Sequence, residues 1–246
     1  MSHQVSLARL RWPEKIIIHN HPSSMPPEPQ ASASLSHAEV VGDFDRLSRA
    51  ALEAYDRLGV EIIRRDGVKL DCCAGCSICC TLRVDVLAHE VFLIAHHILT
   101  HFSAEELAVL RVRLDAHEDR VLPMTPEQHA TTNVRCPLLR DDGRCGIYEV
   151  RPHCCRRHHS QDVAVCRYTH DHPEDLTTPA AHHQDLYYSL TEAMLHDFEE
   201  YADLGYDTTI YELGTALAEA LRDPTCWARW RNGGHAFFTA SITPGE

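Results

Sequence analysis

The sequence predicts a mostly α fold in which helices flank an irregular, cysteine-rich centre. Three observations carry that expectation. Apolar residues recur at helical spacing in several separate stretches, two of them opened by a Ser-x-x-Glu capping pattern. Ten of the eleven cysteines fall in two groups, Cys72 to Cys80 and Cys136 to Cys166, and the second group lies where periodicity is lost. Strands do not alternate with helices, and 11 glycines in 246 residues are too few for a sandwich with many tight turns.

Residues 1–35 read as a disordered tail, because "HPSSMPPEPQASASLS" has too little apolar surface to fold alone. Ser36 and Glu39 form a capping box. After it Val40, Phe44, Leu47, Ala51, Tyr55 and Leu58 predict a helix to about Arg65, stopped by Asp66-Gly67. From Val86, the spacing of Leu87, Val91, Ile94 and Ile98 predicts a second helix. Ser103 and Glu106 open a third to about Val121, and Pro123 and Pro126 break the pattern. Residues 132–180 have little periodicity. Nearly fifty irregular residues would be unusual as a free loop, and a metal pinning them would explain their order. Helix returns with Leu186, Leu190, Met194 and Phe198 to about Tyr201, then from about Thr208 to Leu221, with a last turn at "TCWARW". These elements predict one helical domain over 36–232, a motif region at 70–166, and a flexible C-terminus over 233–246.

The formal net charge of −13 works against sequence-independent binding to nucleic acid or anionic lipid, both of which need excess Lys and Arg. No stretch approaches the ~18 apolar residues of a membrane span, and the start of the chain shows only a three-residue apolar run in place of a signal. The expected location is cytoplasmic, where clustered cysteines are more often metal ligands or catalytic groups than disulfides. Six arginines between Arg135 and Arg157 are expected to favour thiolate in the second cysteine group.

Cys73-Ala-Gly-Cys76-Ser-Ile-Cys79-Cys80 is C-x2-C-x2-C-C. A C-x2-C turn brings two sulfurs to one side, and four thiolates serve equally for tetrahedral zinc or an iron–sulfur cluster. Other readings meet obstacles. Cys72, Cys76 and Cys79 also spell C-x3-C-x2-C, as in radical S-adenosylmethionine enzymes, but no barrel pattern surrounds them. "HNHP" at 19–22 is a three-letter nuclease match in an acidic protein, and a thioredoxin-like role expects a βαβ setting. Among 19 histidines, His96-His97 and His182-His183 point about 100° apart on a helix and chelate poorly. His158, His159 and "RYTHDHPED" after Cys166 are better placed to add nitrogen ligands.

"CAGCSICC", "CPLL" from Cys136 and "GRCGIYEVRPHCCR" from Gly143 together resemble the YkgJ-type cysteine-cluster proteins, which carry a zinc- or iron-chelating domain. The resemblance spans about 70–160. It places Cys73, Cys76, Cys79 and Cys80 on the first element, Glu90 on an acidic position, and Cys136 and Cys145 on the next two elements with Tyr148 alongside. Arg151-Pro152 then places Cys155, rather than Cys154, on the last cysteine, followed by Arg156. With Cys166 these make eight candidate metal ligands, and Cys72, Cys154 and Cys226 are left over. The resemblance implies metal binding. More distant relatives, the flagellin lysine methylases, look like users of iron–sulfur and S-adenosylmethionine.

The function expected is therefore metal binding through clustered thiolates that hold an iron–sulfur cluster, zinc or both. A metal-dependent enzyme such as an iron–sulfur methyltransferase, and a purely structural zinc scaffold, are the alternatives. The partner expected is a metal ion or cluster, with no nucleic acid and no membrane.

Overall fold

The computed structural model describes residues 37–243. The expected tail, with Ser36 and "HNHP", lies outside them. In chain order come α1 (His37–Asp66), a 3-10 turn (Ile78–Thr81), β1 (Asp85–Val86), α2 (Ala88–His101), α3 (Ala104–Val121) and α4 (Pro126–Ala130). A second 3-10 turn (Tyr148–Val150) leads to α5 (His153–Arg157), α6 (Val163–Asp171), α7 (Gln184–Asp203), β2 (Ile210–Glu212), α8 (Leu213–Arg222), α9 (Cys226–Arg231) and β3 (Ile242–Thr243). Residue contacts divide the chain into two units between Ala54 and Tyr55, within α1. All that follows lies in the second unit.

The predicted ends of the long helices have the expected chemistry. Gly67 takes φ +61° at the end of α1, a left-handed conformation that costs glycine little. At α3, Ser103 Oγ accepts from the Glu106 amide at 3.2 Å, and Glu106 Oε2 accepts from the Ser103 amide at 2.9 Å. Pro126 does more than break a pattern: with Thr125 and Gln128 as a capping box it opens α4 at its first position.

Helix α8 packs against both α2 and α3. Ala88, Val91, Ile94 and Ile98 of α2 are buried, as are Leu114 and Val121 of α3 and Ala216 and Leu217 of α8. The crossing is close enough that a Cβ on Gly214 would sit 2.4 Å from the His117 ring. A second apolar cluster joins Tyr55 and Ile62 of α1 to Leu186 and Leu190 of α7. Phe92, Trp227, Trp230 and Phe237 form an aromatic wall between α2 and α9, with ring centroids 5.2 to 5.5 Å apart.

Three short strands form one antiparallel sheet in the order β1-β2-β3, with Asp85 opposite Glu212 and Tyr211 opposite both Val86 and Ile242. The sheet changes two expectations. The helix expected from Thr208 begins only at Leu213. Residues 210–212 pair as a strand, and the Glu212 carboxylate caps α8 by accepting from the amides of Gly214 at 3.0 Å and Thr215 at 2.8 Å. The segment expected to be flexible over 233–246 is anchored as far as 243. Glu219 accepts from the amides of Phe238, Thr239 and Ala240, and the Glu212 amide donates to Ser241 O at 2.7 Å. A parallel (β/α) barrel and a βαβ unit are both absent among the described residues.

Burial would raise the Glu212 carboxyl, but the contact with His117 Nε2 at 3.0 Å and the two amides outweigh it and hold the group at about 2. Its stabilising contribution is therefore complete above its ordinary value of 4.5 and is lost as pH falls through about 2. Glu212→Gln should lower the unfolding free energy by about 2 kcal/mol at neutral pH. Denaturant unfolding of both proteins should converge as the solution is acidified from pH 5 towards 2.

Candidate metal centre

The two cysteine groups are brought together by the backbone. In the first loop Gly75 takes φ +86°, which turns the chain so that the Cys76 amide reaches Cys73 O at 3.0 Å. The 3-10 turn then carries Cys79 and Cys80. The second loop runs alongside it, with the amides of Val134 and Cys136 donating to Thr81 O at 3.2 Å and Cys80 O at 2.8 Å. Cys136 and Cys145 are nine residues apart, yet they sit on the two arms of one tight hairpin. Gly146 N donates to Leu138 O at 2.9 Å and Arg140 N to Arg144 O at 2.8 Å across it. Gly143 closes the hairpin at φ +79°, where an added Cβ would lie 3.5 Å from Gly75 O of the first loop. Cys154 and Cys155 arrive on α5. Buried Arg156 ties that short helix down through Arg151 O at 2.7 Å, Glu149 O and Asp56.

All eleven cysteines are free thiols. Burial pushes the Cys155 thiol well up, and Cys136, Cys154, Cys145 and Cys79 push it the same way. Burial also raises Cys136, to about 12, with Cys145 acting in the same direction, and raises Cys145 against the opposing effect of Arg151 and Arg140. Burial raises the Cys72 thiol, and Cys79, Cys76 and Cys166 act in the same direction. Cys226 is 1% exposed against Glu219 and Arg229 in the helical body. Cys154 is raised to about 12 by burial, with Glu90 and Arg157 as its charged neighbours. Cys73 is exposed, and its carbonyl holds the Cys76 turn.

The arginines do not make this a thiolate pocket by themselves. Arg113 and Arg135 are drawn to Asp141, Arg140 to Glu106, and Arg151 lies over the Tyr148 ring at 4.1 Å. Burial therefore exceeds their effect on Cys145. The thiols are also adjacent without converging. Among the described residues, none of the groups whose donor atoms lie within 4.8 Å of one another is made of motif cysteines. Tetrahedral zinc–thiolate bonds of ~2.3 Å need sulfurs about 3.8 Å apart. The donor set nevertheless fits a zinc or iron centre in kind. The thiols are soft ligands, and those of Cys136, Cys145 and Cys155 are partly buried.

Of the expected histidines, His159 has both ring nitrogens engaged, Nδ1 with Arg157 O at 2.8 Å and Nε2 accepting from the His183 amide at 3.0 Å. His158 and His182 line a cleft beside Cys79 and Cys166. Burial lowers both, His182 to about 4, so they present neutral imidazoles at neutral pH. Glu90, on the acidic position of the resemblance, is buried. Its Oε2 accepts from the Leu87 amide and its Oε1 from the His153 amide, each at 2.9 Å. It thereby fastens the start of α5 to the start of α2 and positions Cys154 and Cys155. His153, its partner 63 residues away, carried no periodic or spacing signal beyond its place beside the cysteines in "RPHCCR".

Raised thiols stabilise the folded chain fully below their ordinary value of about 9, and that contribution is lost as pH rises through about 12. Metal-stripped protein should therefore lose stability between pH 8 and 11 in denaturant unfolding, and Cys136→Ser should flatten the slope. Metal-loaded protein should show the opposite dependence, losing metal and stability on acidification, because protons compete for the thiolates.

Residues 72–181 match the family described as "CxxCxxCC: Putative zinc- or iron-chelating domain", from Cys72 through Cys166 and the histidine-lined cleft. No curated protein and no solved structure matches the chain. Over residues 72–181, then, the chain is similar to the CxxCxxCC family of zinc- or iron-chelating domains.

Proposed function

We propose that the protein is a metal-binding protein whose thiolates hold an iron–sulfur cluster or zinc. Cys79, Cys80, Cys136, Cys145 and Cys155 supply one set of ligands, and Cys73, Cys76 and Cys166 extend it through Cys79. The observation that carries this reading is the bond from the Cys136 amide to Cys80 O at 2.8 Å. It locks loops more than fifty residues apart so that their thiols act on one another. The enzyme reading draws on the cleft beside Cys79 and Cys166, which leaves room next to the sulfurs. A structural scaffold would have that side closed.

Elemental analysis and an optical spectrum of protein isolated without air test the proposal. Absorbance near 400 nm with iron and sulfide is expected for a cluster, and a colourless protein with zinc for the alternative. Cys145→Ser should remove most of the bound metal and lower thermal stability. Protein that contains neither iron nor zinc, or a Cys145→Ser variant that retains its full complement, would overturn the assignment.

A further inference from the structure

We infer that the protein has a second metal site, made of nitrogen and oxygen donors, in which His89, His153 and Asp197 bind one divalent transition ion of the zinc or iron(II) class. The residues come from three helices: His89 near the start of α2, His153 at the first position of α5, and Asp197 in α7. One donor atom from each lies within 4.8 Å of the other two, and all three side chains are buried. The site is separate from the thiol centre and does not depend on its assignment.

The strongest indication is the orientation of His153. Its Nδ1 lies 3.1 Å from Glu90 Oε1, which fixes the ring and directs Nε2 to the opposite side. There Asp197 Oδ2 is 3.5 Å away, yet Nε2 has no hydrogen-bond partner among the described residues although His153 is only 3% exposed. A buried ring nitrogen without a partner costs free energy unless something occupies it. Carboxylate–histidine–metal is the arrangement in which the outer carboxylate orients and strengthens a ligating imidazole. Bonds of ~2.0–2.2 Å to one ion place neighbouring donors about 3 to 3.5 Å apart, which the His153–Asp197 separation already meets.

Charge points the same way. Two buried carboxylates, Glu90 and Asp197, face His153 from opposite sides of its ring. Arg156 and Arg157 act on the cluster from farther away, and their guanidinium bonds go to Asp56 and backbone carbonyls and to Thr191 respectively. His196 and Glu200 flank Asp197 on its own helix. A divalent ion between His153 Nε2 and Asp197 would offset both carboxylates. His89 is stacked on Tyr201 with ring centroids 4.1 Å apart. The Tyr55 ring lies 4.6 Å from that of His153, and its buried hydroxyl is a second polar atom without a partner at the same place. Two imidazoles and one carboxylate suit zinc and iron(II), whereas soft thiolates make up the neighbouring centre.

X-ray absorption at the metal edge of the full-length protein, saturated anaerobically with zinc or with iron(II), tests this together with metal counts per chain. A nitrogen and oxygen shell with imidazole scattering is expected beside any sulfur shell. His89→Gln and Asp197→Asn should each lower the count by one ion and diminish that shell while leaving the sulfur shell intact. His182→Gln, at the cleft by the thiols, should leave it unchanged. A nitrogen and oxygen shell without sulfur would sink the thiol centre and support this site. A sulfur-only spectrum at saturation would overturn it in the wild-type protein, whether or not the variants fold. Full metal content in folded His89→Gln and Asp197→Asn would overturn it as well.

Discussion

One buried carboxylate connects the helical body of this protein to its irregular centre. Glu90 is in the first turn of α2, the helix most completely enclosed by apolar packing, and it accepts from the amides of Leu87 and His153 while contacting the His153 ring. Burial would raise the group, but these donors hold it at about 2, so it stays ionised. A charge in that position is costly if any donor is lost, which makes the placement of α5 relative to α2 highly determined. Cys154 and Cys155 follow His153 directly. The position of the last motif cysteines is therefore governed by a residue on another helix.

The centre itself is ordered by polar contacts more than by apolar ones. Between Asp71 and Val163 the loops are held by amide bonds to Cys80 O, Thr81 O and Ser160 O, by the hairpin closed at Gly143, and by Arg156 drawing together Asp56, Glu149 O and Arg151 O. Such a framework brings thiols close while leaving many of them partly exposed. Without a metal the balance of burial and thiol neighbours favours protonated sulfur, and the arginines beside them are occupied elsewhere. Binding a metal would release those protons, so occupancy of the centre and its acid–base state are linked.

Much of the helical framework was legible in the chain, and the reasons are local. The Ser103–Glu106 capping box, the stop at Gly67 and the four-residue spacing of Leu186 and Leu190 act over one or two turns, and the structure repeats them closely. The start of α8 was misplaced because its cap is the Glu212 side chain at the end of a strand, and that strand exists only by pairing with residues 85–86 and 242–243. Residues 132–180 hold helices of five and nine residues, too short to show a period.

The chain by itself determined what kinds of donors are present and where the thiols sit along it, since C-x2-C-x2-C-C and the cysteines that follow are matters of residue type and spacing. Only the tertiary structure decided which of them meet. Cys80 meets Cys136 through a main-chain bond, and Glu90, His153, His89 and Asp197 are brought together from three helices. Spacing describes reach along one loop, whereas these encounters depend on how α2, α5 and α7 pack, a property of the folded volume that no single segment encodes.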